Sequence, residues 1–452
     1  MRSLLSLFVV ASLAACGGGG GGTAAPQVGT AACEVDGQKQ FVLDNLYAWY
    51  LWNDLLPANI NIANYTTAED LIFRVTREFG PQDINGNPID LFSSINTIDA
   101  DAQFFGEGKY EGFGFSYQIL DPAGIDVRLS RVFVASPAND AGLARGQQFV
   151  SLNGTPIAVI QANEGVSAFF SANATIEFEM RGLDGLVISP SPIITKGIVT
   201  IDPVPRTRII LNAAGGNVGY MRLSTFISTA DPVFSTVFGE FVAAGVDDVI
   251  IDLRYNGGGL VSTAELLGDF LGGFAFAGFP FSYTQFNADR ADLNNTFENF
   301  EEPPPGTAIN LSRLVIIATQ GTASASELVM NSMEPYVDVF IVGDRTFGKP
   351  VGQIGLDFCD KRMRPTSFET VNANFEGDYF GGLPADCTAP DDLNIEVGDD
   401  ADPNIIAAMG YLNTGACPVA TSPGGQFKVS TERDARQSDR RGPPEREYLD
   451  AY

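Results

Sequence analysis

The sequence predicts a mixed α+β, multi-domain chain: an α/β core preceded by a small helical N-terminal domain and a β-rich domain. Three observations predict it. From about residue 201 to 417, runs such as VIIDL and LVIIA, apolar on both faces, alternate with helical patterns, as a sheet covered on both sides requires. Residues 109–200 carry short alternating runs separated by Gly, Pro and Asn turns. Residues 33–108 show helical periodicity between capping and breaking signals.

Taken in order, the chain begins with Arg2, an apolar run over residues 4–13 and Ala14-Ala15-Cys16, the pattern of a signal peptide spanning 1–16. The run is too short to cross a bilayer as a mature helix. Leu13-Ala14-Ala15-Cys16 resembles the bacterial lipobox, which implies lipidation of Cys16. Gly17 in place of Asp then implies the outer membrane, so the expected location is exported and lipid-anchored, on its periplasmic face. Residues 17–32 are a Gly-rich tether. Helices are expected over 44–56 and 68–79, the second between Thr66-Thr67 and Gly80-Pro81. Strands are expected at 112–118, 125–134, 148–152 and 175–180. In the core, strands at 218–223, 249–253, 314–318 and 339–342 alternate with helices at 231–244, 260–271 and 324–333. The aromatic segment 274–286 reads as a further strand, and the polar segment 418–452 as a disordered tail. Cys33, Cys359, Cys387 and Cys417 suggest two disulfides in an oxidising compartment. Of the three pairings, Cys359–Cys387, closing one polar loop, and Cys33–Cys417, tying the ends, is the favoured one.

Composition removes whole classes of function. A net charge of −28 argues against nucleic acid as a partner and against electrostatic membrane binding, leaving the N-terminal lipid as the only membrane contact. The chain contains no histidine, which rules out Ser-His-Asp triads, Cys-His dyads and His-ligated zinc. No cofactor or metal is expected. A hydrolase built from these residues must use Lys, a carboxylate or an amine as its base.

Residues 136–143, SPANDAGL, followed by Gly146 and then VSLNG at 150–154, resemble a PDZ domain, with Gln147 and Gln148 where that pattern carries Asp. The resemblance makes Gly112-Phe113-Gly114-Phe115 the carboxylate-binding loop and the strand after it the edge to which a peptide adds.

Gly321-Thr322-Ala323-Ser324-Ala325-Ser326-Glu327 follows a buried strand and opens a helix, where backbone N–H groups converge and suit an oxyanion. Taken alone, Ser324 and Glu327 also fit an ordinary capping box. Lys349 lies in RTFGKPVGQ, and a lysine serves as a base when burial or a nearby cation, here Arg345 or the flank of Phe347, favours its neutral form. With DLRYNGGG at 252–259, these motifs resemble the C-terminal processing (tail-specific) serine peptidases. GTASASE and TFGK...Q keep that family's order, with Lys349 25 residues after Ser324 and Gln353 four beyond it. The resemblance implies a crotonase-like α/β protease core that cleaves polypeptides, recognised through their C-termini. Ser324 would be the nucleophile, Lys349 the base and Gln353 its positioner, with Ala325 and Gly258 giving the oxyanion hole. Gly257 replaces the family's usual Pro and leaves the turn freer; Pro335 stands where some members carry an acid, so no third acid is assigned. Two rivals remain: a peptide-binding lipoprotein without turnover, and a lipid- or retinoid-binding relative suggested by 274–286. Oligomeric state is not legible.

Overall fold

The computed structural model describes residues 30–121, 123–418 and 428–429. The expected signal peptide, Cys16, nearly all of the tether and most of the expected tail lie outside the described residues. Lys428–Val429, inside the segment expected to be disordered, forms a strand that pairs antiparallel with Cys387–Thr388.

The core is a seven-stranded sheet. Asn217–Arg222, Val246–Asp252, Arg313–Ala318, Asp338–Gly343 and Cys387–Thr388 run parallel, and Arg206–Leu211 closes one edge antiparallel. Alternation within its buried strands explains the two-sided apolar runs. Val249, Ile251, Leu314 and Ile316 face helices Asp231–Ala244, Val261–Phe276 and Ala325–Met333. Ile250, Val315 and Ile317 face the other way, onto Ile405, Ala408 and Tyr411 of helix Pro403–Thr414. The sequence reading did not anticipate that last helix, capped by Asp402, whose carboxylate accepts the Asn404 N–H. Among the described residues no helix is long and apolar enough to cross a membrane.

Residues 109–200 include a six-stranded sheet that packs Phe113, Phe115, Phe149, Phe170 and Phe178 into its own core. In the N-terminal segment the first helix runs Val35–Trp49 instead of over 44–56. Its end is set from outside: Tyr50 is extended and the Leu51 N–H donates to Thr366 O at 2.8 Å. Helix Ala68–Phe79 begins on the Thr67 cap and stops at Gly80, as expected. These helices share a core with Phe358 and Met363, and strand Ser94–Thr97 pairs with Lys361–Arg364. The segment thus packs on a hairpin from the far end of the chain.

Two other expectations are corrected. The aromatic run 274–286 is not one strand: the helix continues to Phe276, across a kink at Gly273 (φ +56°), and the strand is Pro280–Phe286. A side chain at Gly273 would meet Ile309 O at 2.7 Å, so glycine permits the bend. The disulfides are Cys33–Cys359 and Cys387–Cys417, with Cα atoms 5.8 and 5.4 Å apart, not the favoured pairing. The expected polar loop between Cys359 and Cys387 contains strands Lys361–Arg364 and Thr366–Val371. These carry its two cysteines to opposite neighbours, the start of the first helix and the segment after the last.

Candidate active site

Ser324 sits where strand Arg313–Ala318 turns into helix Ala325–Met333, with φ +57° and ψ −117°. For a residue with a side chain that backbone costs about 1–3 kcal/mol and persists only where its surroundings enforce it. The enforcement comes from the glycine turn. Asn256 O accepts the Ala323 N–H and the Ser326 hydroxyl, each at 3.0 Å, and Leu253 O accepts the Thr322 hydroxyl at 2.7 Å. Asn256 is fully buried, and its Nδ2 donates to Leu223 O at 3.0 Å.

The same turn brings Gly258 against Ser324. A side chain there would lie 2.8 Å from Ser324 Cβ and 3.0 Å from Ala325 N, and φ is +110°. Three of the residues picked from the sequence, Ser324, Ala325 and Gly258, therefore meet. The Gly258 N–H, though, donates to Asn256 Oδ1 at 2.9 Å. Ala325 is the first residue of its helix, so its N–H has no intrahelical acceptor.

Lys349 is 5 % exposed. Its Nζ donates to Gln353 Oε1 at 3.2 Å and stands 4.7 Å from the centroid of the Phe92 ring. Gln353 cannot turn its amide around, because Nε2 donates to Phe92 O at 2.6 Å and Arg364 O at 3.0 Å. Arg345 reaches Gly381 O and Gly382 O at 3.2 and 3.3 Å.

One residue joins the two groups, and sequence reading saw it only as a cap. Glu327, wholly buried, accepts the Ser324 N–H at 2.9 Å, as a capping box requires. It then reaches across the fold. The oxygen that takes the Ser324 N–H, Oε2, also takes the Lys349 N–H at 2.8 Å, while Oε1 takes the Gly348 N–H at 2.7 Å and the Thr346 hydroxyl. Burial raises the Glu327 carboxyl above the usual range, and these four hydrogen bonds pull it back. The signal available in the sequence was the one charged residue in that helix.

The Gly112–Phe115 loop is held apart from this cluster. The Phe113 and Phe115 side chains point into their own aromatic core, and Gly114, at φ +89°, has no room for a side chain beside Ser136. Phe113 O and Gly114 O accept N–H groups of Ala138 and Phe133, both at 2.9 Å. The loop can therefore meet a ligand only through its backbone. The most connected link from this unit to the core is Arg145, beside a Gln118 Nε2 bond to Asp391 at 3.2 Å. It donates to Ser130 O at 2.6 Å within the unit, and to Ile395 O, Tyr255 Oη and Asp391 at 2.9, 2.8 and 2.6 Å in the core. Between the two lies a cavity of about 690 Å³ lined by Gln118, Tyr255, Thr319, Gly321, Asp344 and Asp391, among others. It opens at the C-terminal ends of the parallel strands, where open α/β sheets bind ligands.

A serine on a strained strand–helix turn, a glycine turn against it, and a clamped, buried lysine whose backbone shares its carboxylate are parts that nucleophilic hydrolysis without histidine can use. Residues 217–372 match the family model of peptidase family S41, and residues 37–76 that of the peptidase S41 N-terminal domain. Over these segments the chain is similar to that family, and its curated relatives are C-terminal processing peptidases. It is 25% identical over 254 residues to a carboxyl-terminal-processing protease of Synechocystis sp., covering 56% of this chain and 56% of that protein. It is 27% identical over 272 residues to a chloroplastic C-terminal processing peptidase of Tetradesmus obliquus, covering 56% and 54%. The chain thus spans little more than half the length of these relatives. A Bacteroides fragilis crystal structure assigned to the S41 proteases shares the fold at a TM-score of 0.64 and 21% identity, covering 82% of this chain and 96% of that one.

Proposed function

We propose that the protein is a serine endopeptidase that cleaves polypeptides with Ser324 as nucleophile and Lys349 as base. The observation that carries this reading is the shared Glu327 oxygen, which fixes the backbones of Ser324 and Lys349 to one point. Ser324 Oγ attacks the scissile carbonyl carbon while its proton passes to neutral Lys349 Nζ, which then protonates the leaving amine. Water, deprotonated by the same amine, cleaves the acyl-enzyme and restores Ser324. Gln353 Oε1 keeps Nζ aimed. The Ala325 N–H and, once released from Asn256, the Gly258 N–H stabilise the oxyanion, one such donor being worth about 10²–10³ in rate.

In this reading residues 109–200 act as a PDZ-like domain: the Gly112–Phe115 loop takes a substrate's C-terminal carboxylate on its N–H groups, and the cavity is the path toward Ser324. The expected signal peptide and Cys16 make the protein an exported, lipid-anchored enzyme of the bacterial envelope, with two disulfides suited to that compartment. The test is degradation of an unfolded protein with an apolar C-terminus, at neutral to mildly alkaline pH, by wild type, Ser324→Ala and Lys349→Ala. Loss of cleavage in both folded variants supports the dyad. Equal behaviour of all three overturns it in favour of a binding protein without turnover.

A further inference from the structure

Lys349 and Gln353 belong to the core, but a residue that covers them does not. Phe92 comes from the N-terminal segment, two residues before strand Ser94–Thr97, and is 7 % exposed. Its ring faces Lys349 Nζ, which stands 4.7 Å from the centroid, and meets the Phe347 ring edge-on at 5.9 Å. Its carbonyl takes Gln353 Nε2 at 2.6 Å, the shorter of the two bonds that leave Oε1 of that amide for Nζ. One residue thus meets the base twice, with a side chain and with a backbone oxygen.

Phe92 is itself held. Asp90, wholly buried, accepts the N–H groups of Phe92 and Ser93 on Oδ1 at 2.9 and 3.0 Å, and the Ser93 hydroxyl on Oδ2 at 2.6 Å. Thr366, the register partner of Gln353, donates its hydroxyl to Asp90 Oδ1 and its N–H to Ser93 Oγ, each at 3.0 Å. Hydrogen bonds to a carboxylate are stronger than neutral ones, so this loop sets the Phe92 ring and carbonyl in one place.

Hydration keeps a proton on an amine, and an apolar wall withholds hydration from the charged form above all. The face of an aromatic ring returns only part of it, as an attraction to the cation formed when Nζ takes the serine proton. The ring can therefore favour the neutral amine before reaction without leaving the ammonium unpartnered afterwards.

We propose that Phe92 is a positioning residue for the base: its ring closes one side of Lys349 Nζ to water and its carbonyl locks the Gln353 amide. The N-terminal segment then completes the site. The ionisable groups on the elements around Lys349 are Glu327, Asp90, Arg345, Glu369, Tyr379 and the Arg364–Asp101 pair, and every variant below leaves them in place.

The proposal rests on the peptidase reading for the role of Lys349, and one of its two tests needs no turnover. The first measures kcat and KM for an unfolded polypeptide with wild type, Phe92→Ala and Phe92→Leu, from about pH 7 to about pH 10. The second follows lysine carrying ¹³C at Cε by NMR in the substrate-free full chain, where Lys349→Met identifies the signal. In Phe92→Ala water reaches Nζ, so its titration should move up by about one pH unit. At pH 7 kcat should then fall about tenfold with KM little changed, and the gap should close as pH rises. Phe92→Leu, which keeps an apolar cover, should recover most of both. A loss equal at every pH, with Lys349 titrating as in wild type, overturns the proposal and leaves Phe92 a packing residue. So does a Phe92→Leu no better than Phe92→Ala. If wild type itself does not cleave, the peptidase reading fails, and the titration alone still decides whether Phe92 governs Lys349. Should Phe92→Ala fold poorly, Phe92→Gln, which fills the space with an amide, takes its place: an unmoved titration rejects the proposal.

Discussion

At Ser324 the backbone is strained and the side chain stands against a residue that must be glycine. Gly258→Ala should therefore lower the rate of peptide cleavage by about a hundredfold or more, because the added Cβ crowds Ser324 and pushes the N–H of residue 258 out of place. The φ of +110° adds about 1–3 kcal/mol of destabilisation, measurable by urea unfolding. Glu327→Gln tests the shared oxygen: an amide offers one acceptor atom where the carboxylate offers two, so at least one buried N–H loses its partner. Stability should fall by about 1–3 kcal/mol, and kcat should drop while KM changes little, because no substrate contact is removed. At this scale the sequence was informative about which motif residues lie together. Ser324, Lys349, Gln353, Ala325 and Gly258 could all be picked out, and two local groups of them were found together. The longer reach of Glu327, 22 residues along the chain to Lys349, could not be read, because a capping box explains the same spacing locally. Nor could the Asn256 bond that occupies the Gly258 N–H, since it depends on the conformation of the turn.

Elements with their own start and stop signals were legible: Ala68–Phe79 and Asp231–Ala244 fall where capping and periodicity put them. Those whose ends are set by tertiary contacts were not, as the Leu51 bond to Thr366 and the Gly273 kink show. Disulfide pairing failed for the same reason, because it depends on which strands the intervening residues form. Helix Val261–Phe276 carries Glu265 and Asp269, both pushed up to about 7, chiefly by burial and also by neighbouring carboxylates including Glu298. In the unfolded chain both would titrate in the ordinary carboxylate range. Between that range and pH 7 the folded state holds protons that the unfolded state does not, so their contribution is full at low pH and fades as pH rises through 7. Glu265→Gln should match wild type in acid and become relatively more stable above pH 7, as read from urea midpoints; a pH-independent difference rejects the assignment. Removing the cystines gives a second contrast. In the loop-entropy picture, losing Cys33–Cys359, 326 residues apart, should cost roughly 6 kcal/mol, and losing Cys387–Cys417, 30 apart, roughly 4 kcal/mol.

Across the whole molecule, the β-sheet unit and the core are joined by buried charge. Arg254, 1 % exposed, is held by Asp252 and Asp402, each at 2.6 Å, while Asp391 receives Arg145 from the other unit. Arg145→Ala leaves Asp391 with Arg254 and the Tyr255 hydroxyl, so it should cost about 1.5–3 kcal/mol and expose the boundary between the units to limited proteolysis. A different geometry governs the opposite end. Cys33, four residues into the described fold, is bonded to Cys359 in the turn of the hairpin whose second strand ends at Arg364, the residue whose carbonyl helps orient Gln353. A pull on the chain upstream of Cys33 therefore has a second path besides the first helix. Part of the load passes through sulfur into that hairpin, whose last residue holds the Gln353 amide that meets Lys349, so mechanical tension on the N-terminus is felt beside the proposed dyad.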